Sequence, residues 1–345
     1  MFKVFNKNLL SSALLAVCQK FYLHNPPKKA KIVNKVYILE TGTKLLGVFT
    51  MNGVLLLNKP RGMTSHDCVM KVRKTLNTKK VGHTGTLDPD VDGVLPICVG
   101  RATKLAQFLT AEAKEYIGEA TVGYSTTTED ASGVIVARRF VNETFSQVEI
   151  EQTLQSMLGT SIQAPPMYSA VKVKGKKLYE YARSGIKVER PKRNVTIFDM
   201  ELLGDIHQAD GLLKFKFRIR GSKGIFIRTV AVTIGENLGY PAHMSDLTRI
   251  ASGSFMLEDC VTFSELEAGK FELLTISEAL AGFPTVTVDN WVEKLVKNGV
   301  KLREDQIVPP MKEGKFLTKS KEGTPLSIHE WDEARQSYAS VRGLW

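Results

Sequence analysis

Val81-Gly82-His83-Thr84-Gly85-Thr86-Leu87-Asp88-Pro89 is the segment around which the rest of the chain can be ordered. Its two glycines permit backbone conformations closed to other residues and leave room for a ligand against the main chain. Pro89 disfavours a helical backbone at the residue before it, which holds Asp88 extended. The product is a carboxylate presented stiffly from a tight loop, suited to act as a nucleophile or as an acid or base. On this segment alone, an Asp that merely caps a turn is the commoner reading.

Upstream, residues 53–57 form an apolar run that predicts a buried strand. Ser65 is placed as the N-cap of a helix carrying Val69, Val72 and Leu76 on one face. Downstream, residues 93–99 read as an apolar strand and 102–110 as a helix. Residues 116–122 and 133–139 read as strands around a polar turn at 125–132. Ser146 and Glu149 form a capping-box signature for a helix that ends at Gly159. Phe215, Phe217 and Ile219 alternate with Lys214, Lys216, Arg218 and Arg220, giving a strand with one apolar and one basic face. Residues 227–238 read as a helix stopped at Gly239. Strands and helices in this irregular order predict an α+β fold rather than a doubly wound sheet. Residues 164–187, rich in Lys, Tyr and Gly, read as an excursion from the core. From Pro284 the character shifts to a small C-terminal domain, with a helix over 288–297 and short strands.

The 345 residues are 43% hydrophobic and 24% charged, ordinary values for a globular protein able to bury a core without disulfides. The net charge of +11 suggests an anionic partner, but residues 1–50 hold eight Lys and one Glu, so +7 of it lies there. Cys18, Cys68, Cys98 and Cys260 form no C-x-x-C pair, which argues against zinc and against a disulfide framework and fits a reducing cytoplasm. The apolar run at residues 9–17 is too short to span a bilayer. Met51 stands directly before the first predicted strand, so residues 1–50 are expected to be a poorly structured extension read from a start codon set too far upstream.

Five motifs carry a resemblance. They are GVLLLNKPRGMTS from Gly53 to Ser65, GHTGTLDP from Gly82 to Pro89, GVLPICVG from Gly93 to Gly100, PPMYSA from Pro165 to Ala170, and SKGIFIRT from Ser222 to Thr229. In this order they resemble the bacterial TruB family of tRNA pseudouridine synthases, over about residues 52–260. The resemblance implies a central mixed or antiparallel sheet flanked by helices in a catalytic domain over 51–283. It also implies a thumb insertion at about 164–187 and a small PUA-like RNA-binding domain over 284–345. It implies cofactor-free and metal-free isomerisation of uridine 55 in the tRNA T-loop, by base flipping and a catalytic aspartate.

Carried over position by position, Asp88 is the catalytic carboxylate and Arg228 the guanidinium that keeps it ionised and aimed. Tyr116 stacks on the flipped uracil and is the candidate to take the C5 proton; a core aromatic on a strand is the other reading. Leu247 lines the pocket, though a Leu there is also ordinary core. His83 contacts the T-loop or is satisfied by a backbone carbonyl. Lys59 supports the loop or is a solvated cation. Phe226 stands where the family commonly has Tyr, so an aromatic face is kept and a hydroxyl lost. In the thumb, Lys174, Lys176 and Lys177 lie among Tyr168, Tyr179 and Tyr181, a composition suited to phosphates and exposed bases. The resemblance implies a monomer that takes the tRNA T-arm with no guide RNA and no membrane. Two rivals stand beside it. A non-catalytic tRNA-folding factor on the same fold would not need Asp88, Tyr116 and Arg228 together. A glycoside hydrolase would need a second carboxylate across the bond, and only Asp90 and Asp92 are near.

Overall fold

The computed structural model describes residues 30–33, 36–39, 44–46 and 51–344. The expectation for residues 1–50 falls mostly outside these. Three strands within that segment, Ala30–Val33, Val36–Leu39 and Lys44–Leu46, pair antiparallel in a sheet of their own.

The body begins with β1 (Gly53–Lys59), then α1 (Ser65–Thr75), β2 (Val81–His83) and β3 (Asp92–Val99). After α2 (Ala106–Ala111) come β4 (Lys114–Val122), the hairpin β5 (Tyr124–Thr126) and β6 (Ile135–Arg138), α3 (Gln147–Ser156) and β7 (Gly159–Gln163). The segment expected to be a thumb carries β8 (Lys172–Val173), β9 (Lys176–Lys177) and α4 (Leu178–Arg183). It is followed by β10 (Arg193–Ala209), β11 (Leu212–Gly221), α5 (Ile227–Asn237), β12 (Ala242–Ser252) and β13 (Phe255–Met256). Nine of these strands make one sheet in the order β7-β10-β11-β4-β12-β3-β1, with β13 beside β12 and β2 beside β3. Every pairing is antiparallel except β12 with β3, where Thr248 faces Asp92 and Arg249 faces Gly93. The sheet is mixed, and the fold is α+β.

The alternation in β11 sets the two faces. Phe215, Phe217 and Ile219 are buried with Ala120 and Val122 of β4 and Met244 and Leu247 of β12, under Ile150 and Leu154 of α3 and Val230, Ala231 and Ile234 of α5. Each of these large apolar side chains contributes about 1.5–3 kcal/mol by leaving water. The opposite face is less basic than the alternation suggests. Arg218 there is held by three carboxylates, Glu115, Asp199 and Glu201, at 2.6–2.8 Å.

Several boundaries move. Thr64, not Ser65, caps α1, in a reciprocal box with Asp67. Residues 102–110 divide into a 3-10 turn, Gly100–Leu105, which opens at a left-handed Gly100 (φ 62°), and α2. Ser125 and Thr126 belong to β5 rather than to the polar turn. The Ser146–Glu149 box is present, but its helix ends at Ser156 and Gly159 opens β7.

Beyond β13, α6 (Phe263–Glu267) and α7 (Ile276–Ala279) lead to β14 (Thr285–Thr287) and α8 (Asn290–Lys297). The helix expected from residue 288 starts at Asn290, since Val286 and Val288 fill the local core instead. With β15 (Lys315–Lys319), β16 (Pro325–Asp332) and β17 (Ser337–Gly343), β14 forms a second, four-stranded sheet. Leu317, Ile328 and Leu344 of this unit pack with Val54, Leu56, Leu105 and Phe108 of the body in one apolar cluster.

Candidate active site

Asp88 lies on the loop after β2, and the loop is tied down along its length. The hydroxyl of Ser65, released from capping by Thr64, accepts from Leu87 N (2.8 Å) and donates to Leu87 O (3.2 Å). Lys59 is fully buried at the end of β1, and its ammonium donates to the carbonyls of Pro60 and Pro89 at 2.9 and 3.0 Å. Gly62 N donates to Pro89 O as well. The loop is therefore clamped on both sides of Asp88 by groups from β1 and α1. Lys59 is thus enclosed rather than solvated, and its ammonium is spent on main-chain carbonyls. Gly82 and Gly85 do not adopt the unusual backbone expected of them. Residues 81–83 are ordinary strand paired with β3. After the loop, geometry does demand a glycine at Gly93, at φ 109°, where a Cβ would fall 2.1 Å from the carbonyl oxygen of Arg249 on β12.

Arg228 stands in the first turn of α5, with its Nε 3.0 Å from Asp88 Oδ2. The guanidinium is almost wholly enclosed. Nη1 donates to Thr128 O (2.9 Å) and lies 3.5 Å from Asp130 Oδ2, while Nη2 donates to Tyr168 O (3.0 Å). The carboxylate is recessed but open, with 39% of its side chain reaching solvent against 3% for the arginine. A cation fixed from behind thus stands in ion-pair contact with one carboxylate oxygen of a side chain that is otherwise partly open. Burial pushes the Asp88 carboxyl above the ordinary aspartate range, with Arg228 and Lys59 opposing and Asp130 adding to the rise. Keeping the carboxyl ionised is thus a contest in which Arg228 is outweighed by desolvation.

Tyr116 on β4 and Leu247 on β12 are buried in the apolar cluster that contains Leu87 and Val91, the floor beneath the Asp88 loop. His83 turns inward. Its Nδ1 accepts from Gly85 N at 3.3 Å, and burial together with nearby Arg249 holds the imidazole below its usual range. Phe226 caps α5, with its main chain gripped at both ends by the Gln163 amide (2.8 and 3.1 Å) and its ring under the Arg193 guanidinium at 4.9 Å. Lys174 and Lys176 are exposed at the tip of the thumb hairpin, where Lys174 and Gly175 take the left-handed turn. Lys177 lies back over the Tyr179 ring at 5.3 Å, so it is less available than its neighbours. The structure gathers Asp88, Arg228, Lys59, Tyr116, Leu247 and His83 on or under one loop, and leaves the thumb lysines outside it.

Sequence reading missed the 128–130 turn. Its Thr128 carbonyl and Asp130 carboxylate both contact Arg228. The run Thr126-Thr127-Thr128-Glu129-Asp130 was legible as a polar turn, but nothing local says that it folds onto a helix a hundred residues later. Arg249 was also missed. It is buried, donates from Nε to Val94 O at 2.7 Å, and holds the strand behind the loop.

Two comparisons of fold fit this geometry. A solved Cbf5-Nop10-Gar1 complex matches with a TM-score of 0.65 at 24% identity over 85% of each chain. An H/ACA RNP bound to a substrate RNA containing 2′-deoxyuridine matches at 0.62 and 21% over 85% of each. Likeness at these identities shows a shared fold, and the family models define the class, that of the pseudouridylate synthases. The family model for the TruB pseudouridylate synthase N-terminal domain matches residues 73–227, and that for the tRNA pseudouridylate synthase B C-terminal domain matches 228–278. The chain is 57% identical over 262 residues to the tRNA pseudouridine synthase B of Bacillus cytotoxicus, covering 74% of this chain and 85% of that one. It is 57% identical over 260 residues to that of Geobacillus thermodenitrificans, covering 73% and 86%. The chain belongs to the TruB family of pseudouridylate synthases, and is an isomerase. Among the described residues, no helix is long and apolar enough to cross a membrane.

Proposed function

We propose that this chain converts uridine 55 in the T-loop of tRNA to pseudouridine, with Asp88 as the catalytic carboxylate. The reaction breaks the N1–C1′ bond, turns the uracil and joins C5 to C1′. The C5 proton leaves, N1 gains one, and no atom is added. A stacked base must first be everted, at a cost of a few kcal/mol offset inside the pocket. Asp88 Oδ1 then meets the nucleoside. Three routes are open to it: addition to C1′, addition to C6, or removal of a ribose proton to give a glycal. Tyr116 takes the C5 proton at the end. The thumb closes over the T-arm with Lys174 and Lys176 on its phosphates, and the four-stranded PUA-like unit carries RNA farther out. The enzyme works as a monomer in the cytoplasm, without a guide RNA.

The observation that carries this reading is the asymmetric Asp88–Arg228 pair, a sealed cation holding an accessible anion. A tRNA-folding factor would need neither. Asp88→Asn should bind tRNA with unchanged affinity and release no tritium from uracil labelled at C5. Full tritium release by that variant would remove Asp88 from the chemistry.

A further inference from the structure

The turn that holds Arg228 contains a residue with no part in the scheme above. Glu129 is a non-glycine residue in the left-handed region, at φ 64°, a backbone that L side chains rarely adopt. Contacts on every side hold it there. Its carbonyl accepts from Met244 N at 3.0 Å. Its Oε2 accepts from the hydroxyl of Thr229, the residue after Arg228, at 2.7 Å. Its Oε1 lies 3.7 Å from Arg190 Nη1, and that same nitrogen donates to Pro165 O at 3.1 Å. Pro165 and Arg190 flank the thumb, one at each end. Arg190 thus clasps the two ends of the thumb together, and Glu129 joins the clasp to α5. On either side of Glu129, Thr128 and Asp130 touch Arg228 itself.

From this connectivity we infer that Glu129 is a positioning residue, coupling the placement of the thumb to the aim of Arg228 at Asp88. When RNA draws the thumb inward, Pro165 and Arg190 move as a pair. The carboxylate between Arg190 and Thr229 passes that movement to the 128–130 turn and to the first turn of α5. Burial works against the ionised Glu129, as does Glu236, while Thr229, Arg228 and Arg190 support it. Its charge is thus sustained by the groups it connects. A neutral side chain at 129 could keep the Thr229 hydrogen bond yet would release Arg190. The inference rests on the roles proposed for Asp88 and Arg228.

The test compares Glu129→Gln, Arg190→Gln and the double variant with the parent chain, with Asp88→Asn run beside them. Single-turnover rates on full-length tRNA under saturating enzyme are measured separately from tRNA affinity and melting temperature. Each single variant should slow the chemical step by about tenfold with affinity changed less than about twofold, and the double should be no slower than either single, because both break one linkage. Three results would overturn the coupling: a full-speed Glu129→Gln, single effects that multiply in the double, or rates that fall only in step with melting temperature. If Glu129→Gln does not fold, Arg190→Gln, at a partly exposed side chain, carries the same test. An active Asp88→Asn would instead overturn the proposed chemistry. A dead Asp88→Asn beside a full-speed Glu129→Gln overturns the coupling alone.

Discussion

Asp88 holds its proton more tightly in the folded chain than in the unfolded one, because burial outweighs Arg228 and Lys59. The native state therefore binds more protons over the interval between the unfolded value, about 3.9, and the raised folded one. Stability contributed by this group is fully present below that interval and declines as pH rises through it. Asp88→Asn has no proton to lose. Its melting temperature should gain on the parent's as pH climbs through the interval and then run parallel. Thermal unfolding of both chains at stepped pH measures the difference, and a constant offset at every pH would contradict the raised value. The residue identities were legible from the motifs around Asp88 and Arg228. Their balance was not, because it depends on what encloses the pair, and the enclosing groups come from the 128–130 turn and from Tyr168 at the thumb's base.

Among the elements, the thumb offers the clearest separation of roles. Lys174 and Lys176 project from its tip, while Lys177 is engaged with Tyr179. Each cation that neutralises a phosphate of single-stranded RNA adds about 0.7 to the salt slope of binding. Alanine at Lys174, Lys176 and Lys177 together should weaken tRNA binding and flatten its dependence on salt by the amount due to two such cations rather than three. Titrations at several salt concentrations give the slope, and an unchanged slope would take the thumb tip off the RNA. Element existence could be read from the apolar periodicities of β1, α3, β11 and α5. The one-residue error at α1 had a physical origin. Thr64 and Ser65 are both hydroxyl residues able to cap, and only the fold reveals that Leu87 claims the second.

Across the whole molecule, the shared cluster of Leu317, Ile328 and Leu344 with Val54, Leu105 and Phe108 makes the two sheets one cooperative body. All three tryptophans, Trp291, Trp331 and Trp345, come after Pro284 in the sequence, so tryptophan fluorescence reports on the C-terminal unit while circular dichroism reports on the larger one. The two signals should follow a single urea transition. Ile328→Ala should shift both together, at a cost of about 2–5 kcal/mol, and separate midpoints would mean that the units unfold independently. The parallel pairing of β12 with β3 has one more consequence. It joins the strand that follows the aspartate loop to one of the last strands of the nine-stranded sheet, and Arg228 precedes that strand by a single helix. A nascent polypeptide emerging from the ribosome owns the aspartate long before it owns the arginine or the backing strand. On the roles proposed for Asp88 and Arg228, competence arrives late in synthesis, once β12 has been released to slot against β3, and a half-made chain would leave untouched the tRNAs crowded around its own birthplace.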